Sequence, residues 1–301
     1  MRVFVTGASG HIGSAVVPEL IAGEHHVVGM ARSEESARKL SSWGAEVVRA
    51  DLDDLDAIGQ AAAESDGVIH LAFRHDWMRS GDFMAAVNGD LAVVRTIGDA
   101  LAGTSKAFVG TGGTMMLAMA GINDRPGTEA DALPGGPRVD AENEIIAMAE
   151  RGVRSAAIRL APLVHSDLDK HGFGPTLIAM ARERGASAYI GDGQNRWPAA
   201  DTRDIARLYR LAVESAPAGT RLHGVADEGV PFRQIAEAIG RKLDLPTVSV
   251  APEDAEQQFG FLARFVGLDN PTSSAATRAL LGWEPREPGL IADIEQGHYF
   301  E

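Results

Sequence analysis

The sequence predicts an α/β fold, with a doubly wound parallel sheet and a smaller C-terminal lobe interleaved with it. Two observations carry this prediction. Short β-branched segments alternate with segments of helical periodicity through the first half of the chain, which is typical of βαβ units. The chain also has 301 residues, whereas a single domain commonly takes about 150. The second half therefore has length enough to build a further lobe.

Six strands and the helices between them are predicted in the first half of the chain. The strands cover residues 2–6, 26–30, 46–50, 67–72, 106–111 and 154–160. The helices cover residues 11–22, 34–43, a short segment ending near 63, 82–102 and 138–151. In the longest helix, Phe83, Val87, Leu91 and Val94 recur at helical spacing on one face. Helices are therefore expected on both faces of a parallel sheet.

The alternation weakens after residue 162. Loops surround one predicted helix at 174–185, and another helix is predicted at 201–215. The remaining predicted elements are strands near 221–225 and 247–250 and helices near 231–242, 252–263 and 273–281. We predict a nucleotide-binding domain from residues 1–164, to which the helix 201–215 contributes. Residues 165–200 and 217–301 are predicted to form a substrate-binding lobe.

Composition excludes several classes of protein. The chain has no cysteine, which excludes disulfides, cysteine-ligated zinc, iron–sulfur clusters and a thiol nucleophile. Its 28 basic and 42 acidic residues give a net charge of −14, which argues against nucleic-acid and membrane partners. No segment reaches the ~20 apolar residues of a membrane span. The apolar run after Arg2 is too short for a signal peptide, so a cytoplasmic location is expected.

A glycine-rich turn lies between the first strand and the first helix. It reads Thr6-Gly7-Ala8-Ser9-Gly10-His11-Ile12-Gly13. The first glycine permits a tight turn, the second lets the backbone approach a pyrophosphate, and the third allows close packing of helix and strand. The pattern predicts a Rossmann-type dinucleotide site, and a tight turn without ligand is the alternative. Cofactor contacts are expected from Gly7, Ser9, Gly10, His11, Ile12 and Gly13.

The end of the second strand indicates which dinucleotide is bound. NAD sites place a carboxylate there to bind the ribose 2′-hydroxyl. This chain instead has Arg32 and Ser33, which suit a 2′-phosphate. NADP(H) is therefore preferred over NAD(H), although a solvated arginine beside a helix cap is the alternative. Asp51 and Leu52, after the third strand, are expected to flank the adenine or to cap the next helix.

From Met1 onward, and over nearly its whole length, the chain resembles the extended short-chain dehydrogenases/reductases, the family of NAD(P)-dependent epimerases and dehydratases. Beyond the glycine-rich turn, the resemblance rests on Val68-Ile69-His70-Leu71-Ala72, Phe108-Val109-Gly110-Thr111 and Arg159-Leu160-Ala161-Pro162-Leu163-Val164-His165. It implies that Leu71, Ala72 and Phe73 lie beside the cofactor. It also implies that the family's catalytic Ser or Thr falls near Thr111, which is expected to contact the cofactor as well.

The chain departs from this family at the catalytic residues. The family uses Tyr-x-x-x-Lys, but none of the three tyrosines, Tyr189, Tyr209 and Tyr299, precedes a lysine by four residues. Alignment of the following helix puts Pro134 at the tyrosine position and Arg138 at the lysine position. The chain therefore resembles the atypical branch of the superfamily, which keeps the glycine motif and lacks the usual active site.

Two histidines and two threonines are the remaining candidates for catalysis. His75, followed by Asp76, and His165 each come just after a predicted strand, at the sheet edge where ligands bind. Imidazole has a reference pKa near neutrality and suits a proton donor. The alternatives are a surface loop for His75 and helix capping for His165. Thr111 and Thr114 are candidates to hydrogen-bond a substrate oxygen or to order a water.

Three residues are candidates for substrate binding, and no metal site is predicted. Arg138 suits an anion, with an ordinary helix-face arginine as the alternative. Arg196 and Trp197 suit substrate contact, with an exposed loop as the alternative. The spacing of His165, Asp167, Asp169 and His171 permits metal binding but is interpreted as a polar loop.

These observations predict an NADP(H)-dependent reductase that acts on a small or medium carbonyl-type substrate. A non-catalytic NADP(H)-binding sensor and a sugar-nucleotide epimerase or dehydratase are the alternatives. The resemblance also implies a homodimer that pairs helices 82–102 and 138–151, with Ile145, Ile146 and Met148 supplying apolar surface; packing on the sheet is the alternative role of these residues and requires at least one of them.

Overall fold

The computed structural model describes residues 1–75 and 82–301. The described strands are β1 (Arg2–Thr6), β2 (His26–Ala31), β3 (Glu46–Arg49), β4 (Gly67–His70), β5 (Ala107–Gly113), β6 (Arg154–Leu160), β7 (Leu163–His165), β8 (Ser187–Ile190), β9 (Arg196–Asp201), β10 (Thr220–Gly224), β11 (Asp227–Pro231) and β12 (Thr247–Val250). The described helices are α1 (Gly13–Ala22), α2 (Glu34–Ser42), α3 (Leu55–Ala63), α4 (Phe83–Leu101), α5 (Met115–Met119), α6 (Val139–Ala147), α7 (Phe173–Arg184), α8 (Thr202–Ser215), α9 (Phe232–Leu243), α10 (Ala255–Phe259), α11 (Ala263–Val266), α12 (Ala275–Leu281) and α13 (Leu290–Gln296).

Seven strands form the central sheet, in the order β3-β2-β1-β4-β5-β6-β10. All of their pairings are parallel. The order of strands along the chain reverses between β1 and β4, and open α/β sheets bind ligands at the carboxyl ends of the strands at such a point. The predicted fold class is confirmed.

Helices cover both faces of the central sheet. Val3 and Val5 of β1 belong to the core beneath α1 and α8, whereas Phe4 belongs to the core beneath α3, α4 and α6. Successive side chains of a strand point to opposite faces, which explains this division. A strand buried on both faces reads as a continuous apolar run, as β1 does.

The C-terminal lobe contains two small sheets and a third core. The strands β11-β9-β7 form one sheet, and β12-β8 form the other. Trp197 of β9 lies in the third core, against Phe173 and Phe232. Sequence patterns did not predict β7, β8, β9 or β11, because each has only three to six residues and lacks sustained alternation. The helix predicted at 252–263 is broken at Gly260, whose φ is +52°.

Two predictions about packing are wrong in detail. Residues 217–301 were assigned entirely to the lobe, but β10 pairs with β6 and forms an edge of the central sheet. Ile145 and Met148 were expected to supply surface for a dimer, but both are fully buried. Their side chains occupy the space left by glycines at 110 and 98. The homodimer itself stays a prediction, as does the remaining division into a domain and a lobe.

Within residues 1–75 and 82–301, no helix combines the length and the apolar character that crossing a bilayer requires.

Asp204 is expected to be the strongest tie between the C-terminal tail and α8. Its fully buried carboxylate accepts the backbone N–H of Arg286 at 2.8 Å and of Glu287 at 3.1 Å, and it pairs with Arg207. Asp204→Ala leaves these donors without their acceptor and should cost roughly 2–5 kcal/mol of unfolding free energy. Urea denaturation measures this loss. Glu253→Ala, at an exposed position, is the control, and an equal loss in both variants would contradict the assignment.

Candidate cofactor and active site

Glycines shape the turn between β1 and α1. Gly7 has φ of +65°, and a Cβ there would lie 2.8 Å from the backbone nitrogen of Ala72. A Cβ at Gly13 would lie 2.3 Å from the carbonyl oxygen of Gly7. Gly10 is exposed and donates its N–H to that same oxygen at 3.0 Å. Because no side chain fits at either end, the backbone of the turn stays open to a phosphate group at the start of α1.

Ser9, His11 and Ile12, which lie between these glycines, are partly exposed. The carbonyl oxygen of Ser9 accepts a hydrogen bond from Lys39 at 3.1 Å, and Ile12 occupies the N-cap position of α1. His11 extends toward the second half of the chain, where its Nε2 lies 2.8 Å from Oγ1 of Thr202. Burial lowers the pKa of His11, so its ring is neutral at pH 7. The turn is therefore tied to α8 through a histidine.

Two arginines lie near the end of β2. Arg32 is exposed, and Ser33 caps α2 by accepting the N–H of Ser36 at 3.1 Å. Arg49, at the end of β3, donates from Nη1 to the carbonyl oxygen of Ser33 at 2.6 Å. Arg49 was not among the residues predicted from the sequence, although it pairs in register with Ala31, the last residue of β2. The two guanidinium groups place positive charge where a 2′-phosphate was predicted.

The segments after β3 and β4 are joined by an ion pair. Asp51 accepts the N–H of Leu52 at 2.5 Å and Nη2 of Arg74 at 2.8 Å. Arg74 directly follows Leu71-Ala72-Phe73, the segment that the resemblance placed beside the cofactor. These residues are all partly buried and form one continuous region at the carboxyl edge of the sheet.

A chain of hydrogen bonds runs from β1 to the residue at the family's lysine position. The carboxylate of Asp90 only accepts, so Nε2 of His70 donates to it, at 3.2 Å. Nδ1 of His70 then accepts from the hydroxyl of Thr6 at 2.7 Å. On its other oxygen, Asp90 accepts from Arg138 at 2.9 Å. Burial raises the pKa of Asp90, but the histidine and the arginine outweigh this effect, and the net shift is downward.

Arg138 is held in an unusual backbone conformation just before α6. Its φ of +69° lies in the left-handed region, which costs a non-glycine residue roughly 1–3 kcal/mol. Its guanidinium donates to Asp90 and, at 3.2 Å, to the carbonyl oxygen of Thr111. Arg138 is therefore not an ordinary helix-face arginine, since both contacts point it toward the end of β5. Pro134, at the family's tyrosine position, is exposed and has no acidic proton.

His75 belongs to the same group of side chains. The guanidinium carbon of Arg138 lies 4.0 Å from the centre of the Phe73 ring, and that ring lies 5.1 Å from the ring of His75. His75 is exposed, and its backbone N–H donates to the carbonyl oxygen of Phe73 at 3.0 Å. The neighbouring Asp76 lies outside the described residues. Sequence analysis thus placed His75 and Arg138 separately, and the structure brings them together.

The hydroxyl groups of the two candidate threonines are engaged elsewhere. Thr111 donates to the carbonyl oxygen of His70 at 2.6 Å, and its Oγ1 also lies 2.7 Å from the hydroxyl of Tyr209. Thr114 is fully buried, and its Oγ1 accepts from Asn270 at 3.1 Å. Both hydroxyl groups are thus already hydrogen-bonded within the protein, and a catalytic contact through either of them stays a prediction. Tyr209 does not replace them, because it is fully buried and burial raises its pKa.

His165 is not positioned as a proton donor to a substrate. Its side chain is only 2% exposed, and its Nδ1 lies 2.9 Å from Oδ2 of Asp293. It lies on β7, in register with Asp201 of β9, beneath α13. The prediction that His165 contacts substrate is wrong, because the ring is enclosed between the lobe and its last helix.

Of the two predicted substrate contacts at β9, that of Trp197 is wrong, whereas that of Arg196, whose side chain is 42% exposed, stays a prediction. Trp197 is fully buried in the core of the lobe. Arg196 is engaged by Asp269 on two sides, with Nη2 at 2.7 Å from one oxygen and the backbone N–H at 2.6 Å from the other. The polar residues next to Trp197 in the sequence indicated a loop. Trp197 instead lies on β9, which pairs with a strand on each side, and its indole is enclosed.

The metal-like spacing between residues 165 and 171 does not form a cluster. Asp167 pairs with Arg203, Asp169 accepts the N–H of Gly172 at 2.8 Å, and His171 is exposed. In the described part of the chain, one ring nitrogen of His165 instead lies within 4.8 Å of carboxylate oxygens of two distant residues, Asp201 and Asp293.

Comparisons with known proteins agree with this geometry. Residues 7–82 match a family of NAD(P)H-binding domains. An uncharacterized protein of Schizosaccharomyces pombe is 43% identical over 302 residues, which cover 100% of both chains. The 2′-dehydrokanamycin reductase of Streptomyces kanamyceticus is 29% identical over 272 residues, covering 86% of this chain and 72% of that protein. The crystal structure of dTDP-glucose 4,6-dehydratase from Streptomyces venezuelae, with NAD bound, has a TM-score of 0.77 at 17% identity and covers 99% of this chain and 96% of its own. That last likeness is one of fold.

Gly13→Ala should weaken dinucleotide binding by at least tenfold. The new Cβ would meet the backbone oxygens of Gly7 and Ala8 at 2.3 and 2.5 Å, so the turn must open. Fluorescence titration with NADPH measures the affinity. Gly89→Ala, in α4, is the matched control, because its Cβ meets nothing within 4 Å and alanine favours the helix. Equal NADPH affinity in both variants would contradict the assignment of the turn.

Proposed function

Because this chain belongs to the short-chain dehydrogenase/reductase superfamily, among the NAD(P)-dependent epimerases and dehydratases, we propose that it is an NADP(H)-dependent reductase of a small or medium carbonyl compound. The observation that carries this proposal is the turn at Gly7 and Gly13, which no side chain at those positions would allow. The turn lies where the strand order reverses, between β1 and β4. Arg138, stacked on Phe73, supplies a cation and hydrogen-bond donors beside it.

The preference for NADP(H) is supported by charge at the end of β2. A dinucleotide that lacks the 2′-phosphate is usually bound there by a carboxylate. This chain presents Arg32 at that position, with Arg49 hydrogen-bonded to the next residue, Ser33. Guanidinium groups form strong, charge-assisted hydrogen bonds to phosphate oxygens.

Arg138 is the residue that we assign to the substrate oxygen or to the ribose beside it. Two of its five N–H groups are used by Asp90 and by the carbonyl oxygen of Thr111. The remaining donors are fixed in direction by those two contacts and by stacking on Phe73. A fixed cation stabilises negative charge that develops on a carbonyl oxygen during reduction. Arginine does not release a proton near neutral pH, so the proton comes from another group.

His75 is the proton donor in this proposal. Bound NADPH would supply a hydride to the substrate carbon, and the substrate oxygen would take a proton. His75 is exposed at the same edge as Arg138 and has a side chain whose reference pKa suits this transfer. The adjacent Phe73 ring contacts the imidazole edge-on, with the ring centres 5.1 Å apart.

A screen for NADPH oxidation tests the function. The full chain is mixed with NADPH and with aldehydes, ketones and 3-oxo acids, and absorbance of the nicotinamide is followed. Steady loss of absorbance with one class, together with stoichiometric alcohol, supports a reductase. Tight NADPH binding without turnover of any class would instead support the non-catalytic sensor. Interconversion of sugar nucleotides without net oxidation of NADPH would support an epimerase or dehydratase, whose fold this chain shares.

Charge reversal at Arg32 should weaken NADPH binding far more than NADH binding. Arg32→Asp removes a cation and adds repulsion toward the 2′-phosphate. Arg49→Gln removes the second cation. Each variant should lose roughly 10–100-fold in NADPH affinity. NADH affinity should stay within a few-fold of the parent. Calorimetric titration with both cofactors measures the difference. Arg151→Gln, between α6 and β6, is the control. Equal losses for both cofactors would overturn the NADP(H) assignment.

Replacement of His75 should separate turnover from cofactor binding. His75→Gln should lower kcat by about 10²–10⁴-fold with NADPH affinity unchanged, because only the proton transfer is lost. His26→Gln is the matched control, since His26 is an exposed histidine at the opposite end of the strands. Turnover of His75→Gln within a few-fold of the parent would mean that water protonates the product, and the role of His75 would be dropped.

A further inference from the structure

A buried cluster of carboxylates and histidines lies at the junction of the lobe and its last helix. His165 of β7, Asp201 of β9 and Asp293 of α13 are 2–3% exposed. One ring nitrogen of His165 and one carboxylate oxygen from each aspartate all lie within 4.8 Å of one another. A fourth residue, His298, follows α13 and places its Nε2 3.7 Å from Oδ2 of Asp293. The proposed reduction uses none of these side chains.

Strand register and helix position bring these residues together. His165 and Asp201 are directly paired in the parallel ladder of β7 and β9, so their side chains lie on the same face of the small sheet. Helix α13 packs across that face, and Asp293 lies in its first turn. The cluster is therefore built from three elements that are distant in sequence.

Two imidazole nitrogens in this cluster have no hydrogen-bond partner in the described chain. Oδ2 of Asp293 accepts from Nδ1 of His165 at 2.9 Å, which leaves Nε2 of His165 buried and unsatisfied. Nε2 of His298 is likewise buried without a partner. A buried nitrogen without a partner costs about 1–3 kcal/mol, and the two rings that carry these nitrogens both approach the carboxylate of Asp293, His165 through its Nδ1 and His298 through its Nε2. Because Nδ1 of His165 carries the donated proton, its Nε2 has a lone pair available for a ligand when the ring is neutral.

The two carboxylates also have little positive charge around them. In the described chain, Asp201 pairs with Arg203 at 3.7 Å, and Asp293 pairs only with the two histidines. Uncompensated buried carboxylates are costly, and they commonly pair with a cation or bind a metal.

We infer that this cluster binds one divalent transition-metal cation, and that Zn²⁺ fits it best. His165, Asp201 and Asp293 supply three ligands, and His298, whose Nε2 lies 3.7 Å from Oδ2 of Asp293, completes the set by moving toward the other two. Imidazole and carboxylate together are zinc ligands, whereas Mg²⁺ and Ca²⁺ prefer oxygen alone. Ligands on a tetrahedral zinc lie about 3.4 Å apart, a spacing that the 4.8 Å limit on the first three atoms accommodates.

The site is structural rather than catalytic. Three of the four ligands are almost completely buried, and a closed set of four protein ligands is typical of structural zinc. The cation would fasten α13 and the following residues to the small sheet. It would also support the glycine-rich turn, because the carbonyl oxygen of His165 accepts from Thr202, which contacts His11.

Metal binding and thermal stability test this inference. The full chain, purified without a metal-affinity tag and stripped with a chelator, is titrated with Zn²⁺ and Mg²⁺ by calorimetry. One equivalent of Zn²⁺ should bind, and Mg²⁺ should not compete. At Zn²⁺ concentrations about 100-fold above Kd, the Tm should rise by about 5 °C. His165→Gln and His298→Gln should each weaken Zn²⁺ binding by at least tenfold and abolish the rise.

A matched control separates the cluster from its neighbours. His171→Gln changes an exposed histidine six residues from His165 and should bind Zn²⁺ like the parent. Circular dichroism and NADPH affinity verify that each variant folds. If His165→Gln fails to fold, His298→Gln decides alone, because the side chain of His298 is 17% exposed near the end of the chain. No stoichiometric Zn²⁺ binding, or binding that His298→Gln leaves unchanged, would overturn the inference and leave protons and water as the occupants.

Discussion

The arrangement of side chains at the carboxyl edge of the central sheet depends on the hydrogen bonds that the buried carboxylate of Asp90 accepts. It accepts from His70 of β4 and from Arg138, and His70 in turn is bonded to Thr6 at the entrance to the glycine-rich turn. A buried carboxylate is tolerated only when its charge is compensated and its oxygens are hydrogen-bonded. The cofactor turn and the cation at the site are therefore held in place by one shared anion.

In the proposed reductase, this arrangement separates two tasks that a tyrosine–lysine pair performs together. In the usual active site of the family, lysine lowers the pKa of tyrosine, and tyrosine exchanges the proton. Here Arg138 supplies fixed positive charge, while the chain has no phenol at the tyrosine position. Charge and proton must then come from different residues, so the pH dependence of catalysis would follow the proton donor alone.

Local signals made the cofactor turn and the sheet predictable, and the site was predictable only in part. The strand, the glycines and the helix at residues 2–22 are adjacent in sequence, so the spacing of the glycines alone predicts the cofactor turn. Trp197 was misassigned because the polar residues just before it, Gln194 to Arg196, are at least partly exposed, while the indole is buried in the core. The pair of His165 and Asp293 is 128 residues apart, and no local pattern connects such positions. Arg49 and Asp90 become evident only when adjacent strands and helices are placed.

The position of β10 has a consequence for synthesis of the protein. This edge strand of the central sheet comes after the segments that build most of the three-stranded sheet, so the nucleotide-binding sheet stays incomplete until about three-quarters of the chain has been translated. Until then β6 presents an unpaired edge, which is a template for association with other chains. A nascent chain arrested before Thr220 would accordingly depend on chaperones, and the two halves of this protein are not separable by a simple cut.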